Sequence, residues 1–160
     1  MALPVLDEAH AAFIVSGVSI VVAARDAHNA PTVVRAVGCR VSADRRRVTV
    51  FVPRPQAAAL LDDVRANREL AAVFCQPSTH RTIQLKTRDA AFAALEPDDL
   101  ALIAAETDLF VADIQKLEYP GEVARALVAH APDDLTGIAF TPHAAFAQTP
   151  GPRAGEPLGA

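Results

Sequence analysis

Residues 30–53, APTVVRAVGCRVSADRRRVTVFVP, restrict the possible folds more than any other part of the chain. Two β-branched runs, about 31–42 and 46–53, are joined by a few charged residues. That connection is too short for a parallel crossover, so the pair is antiparallel. Nowhere do strands and helices alternate in a βαβα pattern, and no GxGxxG follows a strand. A doubly wound dinucleotide fold is therefore disfavoured. The same stretch holds an anomaly. Alternate residues of a strand share a face, which puts Arg35 in the row Val33, Arg35, Val37, Cys39, Val41, the more apolar of the two. An unpaired guanidinium on an apolar face is costly. Three explanations are open at this level: a buried carboxylate partner, a bulge near Gly38 that flips the register, or an anionic ligand against the barrel wall.

The rest of the chain reads as follows. Residues 7–15 form a short helix leading into the strand GVSIVVAAR, and DAHNAP is a hairpin connection. PQAAALLDDVRAN starts a helix at Pro55, with Ala57, Leu60, Leu61 and Val64 on one face. ELAAVFCQ is a strand, and HRTIQLKTRDAAFAAL another, bent near Thr87. At Glu96 the character changes. EPDDLALIAAETDLFVADIQKLE predicts a long helix with Leu100, Ile103, Thr107, Phe110, Ile114 and Leu117 on its buried face. GEVARALVAH follows as a short helix, and DLTGIAFTPHAAFAQ is a last strand or pair of strands. The expected fold is mainly β with helices (α+β), a small antiparallel barrel with a helical insert at 96–130. It forms one domain over 1–150, with an extended or disordered tail at 151–160. A chain of 160 residues can bury such a core.

Charge is unevenly spread. From Arg25 to Arg88 there are twelve basic residues against five acids, and from Asp89 onward three against twelve. An anion is drawn to the first segment. A net charge of −4, a single tyrosine and the absence of a stacking motif argue against nucleic acid as partner. The most apolar run, FIVSGVSIVVAA, is too short to span a bilayer, and MALPVLDEAH lacks a basic n-region, so a cytoplasmic protein without membrane contact is expected. Cys39 and Cys75 lie in strand-like runs without CxxC spacing and read as buried reduced thiols. None of the five histidines has metal-ligand spacing, so no metal is expected, and there is no GxSxG elbow or P-loop. Any catalysis here falls to a cofactor. In STHRTIQLKT, Thr82, Gln84 and Lys86 alternate with Ile83 and Leu85. That polar row either faces solvent or meets a ligand with several hydrogen-bonding edges.

The ordered set PTVVRAVGCRV, VTVFV, RANRELAAVF and HRTIQLK resembles the pyridoxamine 5′-phosphate oxidase-like group of FMN-binding split barrels. The resemblance implies a six-stranded antiparallel split β-barrel that dimerises with itself and holds FMN in a cleft between subunits. In that group the second-strand arginine reaches the flavin phosphate, and Arg35 takes its place. The implied cofactor-binding set also includes Ala36, Val37 and Gly38 beside it, and Val52. Thr82, Gln84 and Lys86 fall on the strand that hydrogen-bonds the flavin. Where the group carries a Ser-Arg-Lys phosphate cluster this chain has PRPQAAALL, leaving Arg54 and Gln56 as the polar candidates. The aromatic, arginine-rich end of the true oxidase is absent, so pyridoxamine phosphate is not the expected substrate. Gln148, Thr149 and Arg153 of the tail are placed near the partner's cleft. The expected function is that of an FMN-binding oxidoreductase acting on a small molecule. The alternative is a flavin- or haem-binding protein without turnover on the same barrel.

Overall fold

The structure, a computed structural model, describes residues 6–158. In chain order its elements are α1 (Glu8–Ile14), β1 (Ser19–Arg25), β2 (Pro31–Ala36), β3 (Gly38–Val41), β4 (Val48–Pro53), α2 (Arg54–Asn67), β5 (Leu70–Cys75), β6 (Thr82–Thr87), β7 (Ala91–Ala93), α3 (Asp99–Gln115), α4 (Gly121–Leu127), β8 (Leu135–Phe140) and β9 (Ala144–Ala147). The strands form two antiparallel sheets, one ordered β2-β1-β5-β6-β9 and the other β3-β4-β8-β7. This is the α+β split-barrel class expected from the sequence. Its six long runs become nine segments because three of them break: at Val37, between Thr87 and Ala91, and between Phe140 and Ala144.

The barrel core follows from period-two patterning. Ile20, Val22, Val34, Ala72, Phe74, Ile83 and Leu85 of the first sheet meet Cys39, Val48, Val50, Val52, Ile138 and Phe140 of the second. Helix α2 adds Ala57, Leu60, Leu61 and Val64, the face predicted by its spacing. It starts at Arg54, one residue before the expected Pro55, which lies in its first turn, and ends where Arg68 turns left-handed (φ 61°), its N–H donating to the Val64 carbonyl at 2.9 Å. Gly155 and Leu158 donate backbone hydrogen bonds to Ala147 and Ala145, so the tail folds back along β9. Among the described residues, no helix is long and apolar enough to cross a membrane.

Candidate functional site

The position of Arg35 is settled by a change of register. In β2 the inward residues are Val34 and Ala36, but after Val37 the inward residues are Cys39 and Val41. At the switch the Val37 N–H turns from β1 to the other sheet and donates to the Phe51 carbonyl at 2.8 Å. Arg35 therefore points outward, half-buried, next to Val33, which is 64% exposed. The row Val33 to Val41 does not share one face as simple alternation predicts, because the strand bends and flips at Val37. The Arg35 Nη1 donates to Ser19 Oγ at 2.6 Å. No carboxylate lies within ion-pair distance of it among the described residues. A buried counter-ion is thereby ruled out.

Arg35 belongs to a row that crosses the whole five-stranded sheet. Cα pairing aligns Arg35 with Val21, Val73, Gln84 and Phe146, one residue from each strand. The next row on this face is Val33, Ala23, Ala71, Lys86 and Ala144, and Ser19, Cys75 and Thr82 line up on the other side. The middle of the face is thus small side chains, half-buried. Arg35 stands near one edge and Gln84 and Lys86 near the other, three strand spacings or about 14 Å away. Gln148 reaches the Gln84 side chain at 3.4 Å, and the Lys86 ammonium sits 5.1 Å from the Phe146 ring centre. Thr149 accepts a hydrogen bond from the Thr82 N–H at 2.9 Å, so the tail residues singled out in the sequence border this face. Arg153 is exposed beyond them.

The other expected positions lie elsewhere. Ala36 and Val52 face the core, at 2% and 0% exposure. Val37 and Gly38 lie beneath α3. The Thr82 hydroxyl is buried and donates to the His80 carbonyl at 2.9 Å. Arg54 at the start of α2 spends its guanidinium on the carbonyls of Asp133 and Leu135, the latter at 3.1 Å. Gln56 is exposed two residues further on, and the α2 N-terminus has no side-chain cap. Of the ten expected residues, Arg35, Gln84 and Lys86 share an open face through their side chains.

Helix α3 explains why the second sheet offers no such face. Its buried residues are Asp99, Ile103, Glu106, Phe110, Val111 and Asp113. The buried stripe is rotated from the expected one, and Leu100 and Leu117 are largely exposed. Three carboxylates at seven-residue spacing bind the helix to the barrel. Asp99 meets the Arg40 guanidinium at 3.4 Å. Glu106 accepts the Cys39 N–H at 2.9 Å. Asp113 accepts from the N–H and hydroxyl of Ser78, at 3.0 and 2.5 Å. Burial pushes the Glu106 carboxyl up to about 8, so it is mostly protonated at neutral pH. Burial and the neighbouring Glu106 likewise raise the Cys39 thiol well above its ordinary value. Burial also opposes ionisation of Asp113, but the Ser78 hydrogen bonds and Lys116 outweigh it and hold that carboxyl below the usual range. Two glycines give the helix room. A Cβ on Gly17 (φ +78°) would stand 2.3 Å from Leu109 Cβ, and one on Gly38 2.6 Å from Glu106 Oε2.

No protein-family model matches the chain, and no curated protein matches it in sequence. Solved structures do match in fold. HupZ of Group A Streptococcus superposes with a TM-score of 0.56 at 12% identity, over 94% of this chain and 99% of that one. A candidate pyridoxamine 5′-phosphate oxidase of Lactobacillus delbrueckii gives 0.53 at 12% identity, over 89% and 93%. An F420 reductase gives 0.52 at 14% identity, over 88% and 98%. At these identities the likeness concerns the fold.

Proposed function

We propose, for a chain that folds as the pyridoxamine 5′-phosphate oxidase-like split barrels do, that the outer face of its five-stranded sheet binds FMN between two copies of the chain and that the protein is an oxidoreductase of a small molecule. One observation carries the reading: Arg35 is a half-buried guanidinium on an open sheet face, with a serine hydroxyl and no carboxylate to answer its charge. The residues present fit a flat anionic cofactor. Arg35 would take the phosphate in a charge-assisted, bidentate contact. Val21, Ala23, Ala71 and Val73 are small enough for a planar ring to lie against the sheet, and Gln84 and Lys86 offer an amide and an ammonium to its polar edge. They do not fit a phosphate at the α2 N-terminus, where Arg54 is already engaged.

FMN held by Arg35, Gln84 and Lys86 would supply two-electron chemistry between a donor and the small-molecule acceptor. The chain's own part is to hold the charge, orient the ring and exclude water from one side of it. Exclusion from the other side needs a second copy of the same face, which is why the reading includes a homodimer. A second reading is a flavin- or haem-handling barrel without turnover. It is favoured by the closure of α3 over Val37 and Gly38, which removes that stretch from any cofactor wall.

Purified protein tests both. A visible spectrum with flavin bands near a dimer's mass by light scattering, and reduction of the bound flavin by a nicotinamide donor, are the expected results. Flavin bands with no donor-dependent reduction point to the second reading, and a Soret band moves the assignment to haem. Failure to take up added FMN rejects the flavin site.

A further inference from the structure

A second feature lies in the helical cover rather than in either sheet. Helix α4 runs back along α3. A Cβ on its first residue, Gly121, would stand 3.1 Å from both Val111 and Gln115, and one turn on, Arg125 pairs with Asp108 at 2.9 Å. The 7 residues of α4 span about 10 Å, whereas the 17 of α3 span about 25 Å. The shorter helix therefore ends before it reaches the first turns of α3. Leu100, Ala104, Thr107 and Asp108 share one stripe of α3 at helical spacing. Beside that stripe the loop at 128–132 leaves a cleft of about 340 Å³, with His130 and Pro132 opposite and the buried Ile103 at its floor. Leu100, at the open end, is 44% exposed. The polar groups in the cleft are few. His130 Nδ1 lies 2.8 Å from the Val128 carbonyl. A carbonyl only accepts, so Nδ1 carries the proton and Nε2 of the uncharged ring is left as an acceptor. The half-buried Thr107 hydroxyl makes no hydrogen bond to the described residues. Asp108 and Arg125 cancel each other at the rim, so the cleft has no net charge.

We infer that this cleft binds a neutral small molecule with a hydroxyl group on an apolar body, the hydroxyl donating to His130 Nε2 and accepting from Thr107 while the body covers Leu100, Ile103 and Pro132. A hydroxyl oxygen both donates and accepts, so one atom answers both groups. An ion fits poorly, because it would give up its hydration where no free counter-charge replaces it. The volume is at the lower end for small-molecule sites and suits a body of one or two rings. None of the lining residues stands on the open face of the five-stranded sheet, so binding here does not depend on FMN at Arg35.

2-Naphthol serves as the probe, titrated into the full-length protein and followed by amide NMR shifts. Its methyl ether, which cannot donate, and 2-naphthoate, which is charged, are the controls. Saturable shifts confined to residues 100–108 and 125–132 are expected, with 2-naphthol binding more tightly than either control. His130→Phe keeps a ring in place and removes the acceptor, and it should weaken 2-naphthol about fivefold while leaving the methyl ether unchanged. Ala104 is exposed on the cleft wall, so Ala104→Trp should fill the space, abolish the shifts and leave the amide spectrum of the barrel as it was. Arg35→Ala should leave 2-naphthol affinity intact. The proposal is overturned if no saturable shift appears at the cleft, if the shifts spread equally to Leu109 and Tyr119 outside it, if both cleft variants bind as the parent does, or if the methyl ether or 2-naphthoate binds as tightly as 2-naphthol.

Discussion

The four-stranded sheet turns its outer face toward its own chain. Val37, Phe51 and Leu135 meet Ile103, Phe110 and Val111 of α3 and Ala124 and Val128 of α4, and three carboxylates bind that helix at Arg40, Cys39 and Ser78. The five-stranded sheet turns outward a face whose middle is half-buried Val21, Ala23, Ala71 and Val73, with Arg35 at one edge, beside Thr107, Phe110 and Val128 of the helical cover, and Gln84, Lys86 and Phe146 at the other. The contrast separates two ways of finishing a sheet. Bulky side chains such as Phe51 need a cover that comes with the chain, since their burial is worth about 1.5–3 kcal/mol each. A face centred on alanine and valine has less to lose by waiting for a ligand or a second copy. Charge follows the same division: the cation on the covered face, Arg40, is answered by Glu96 and Asp99, whereas Arg35 on the open face is answered by a hydroxyl.

The contrast can be broken first on its covered side. Phe110 is 4% exposed at the centre of the α3 contact, and Phe110→Ala should cost about 3–5 kcal/mol in urea unfolding. FMN affinity at native conditions should fall far less than stability does, although Phe110 lines a small cavity with Arg35 where the two sheets meet; a large loss of FMN binding in the folded variant would couple the two faces and undo the distinction.

A smaller effect sharpens it. Glu106 holds its proton to about pH 8 in the folded protein, against about 4.5 when unfolded. Between those values the folded state binds the extra proton, so stability is greatest below pH 4.5 as far as this group is concerned and falls as pH rises toward 8. The slope is at most about 1.4 kcal/mol per pH unit. Glu106→Gln keeps an oxygen to accept the Cys39 N–H and removes the ionisation. Urea midpoints at pH 5.5, 7 and 8.5 should therefore decline less in the variant, and equal declines would mean that Glu106 ionises freely in the fold.

Much of this was readable in the residues and some was not. Strand and helix order followed from period-two and helical spacing, down to the bend near Thr87 and the division of the last run. The direction of Arg35 was legible only as one of three explanations, the register change near Gly38, because alternation is a local rule and the flip found at Val37 involves a hydrogen bond to Phe51 of a second sheet. The role of the acids in α3 was also hidden. Asp99, Glu106 and Asp113 look like a solvated face, and their partners Arg40, the Cys39 amide and Ser78 are distant in sequence. A signal was nonetheless present. Positions 99, 103, 106, 110 and 113 repeat at four and three residues, and Ile103 and Phe110 fall between the acids.

The claim on which the account rests is that the open face of the five-stranded sheet receives an anionic flavin at Arg35. Quenching of FMN fluorescence by the parent protein and by Arg35→Ala tests it directly. A saturable titration weakened about tenfold to a hundredfold by the substitution is predicted, the range expected when a charge-assisted contact worth about 1.5–3 kcal/mol is lost. Equal affinity of the two proteins for FMN would contradict it.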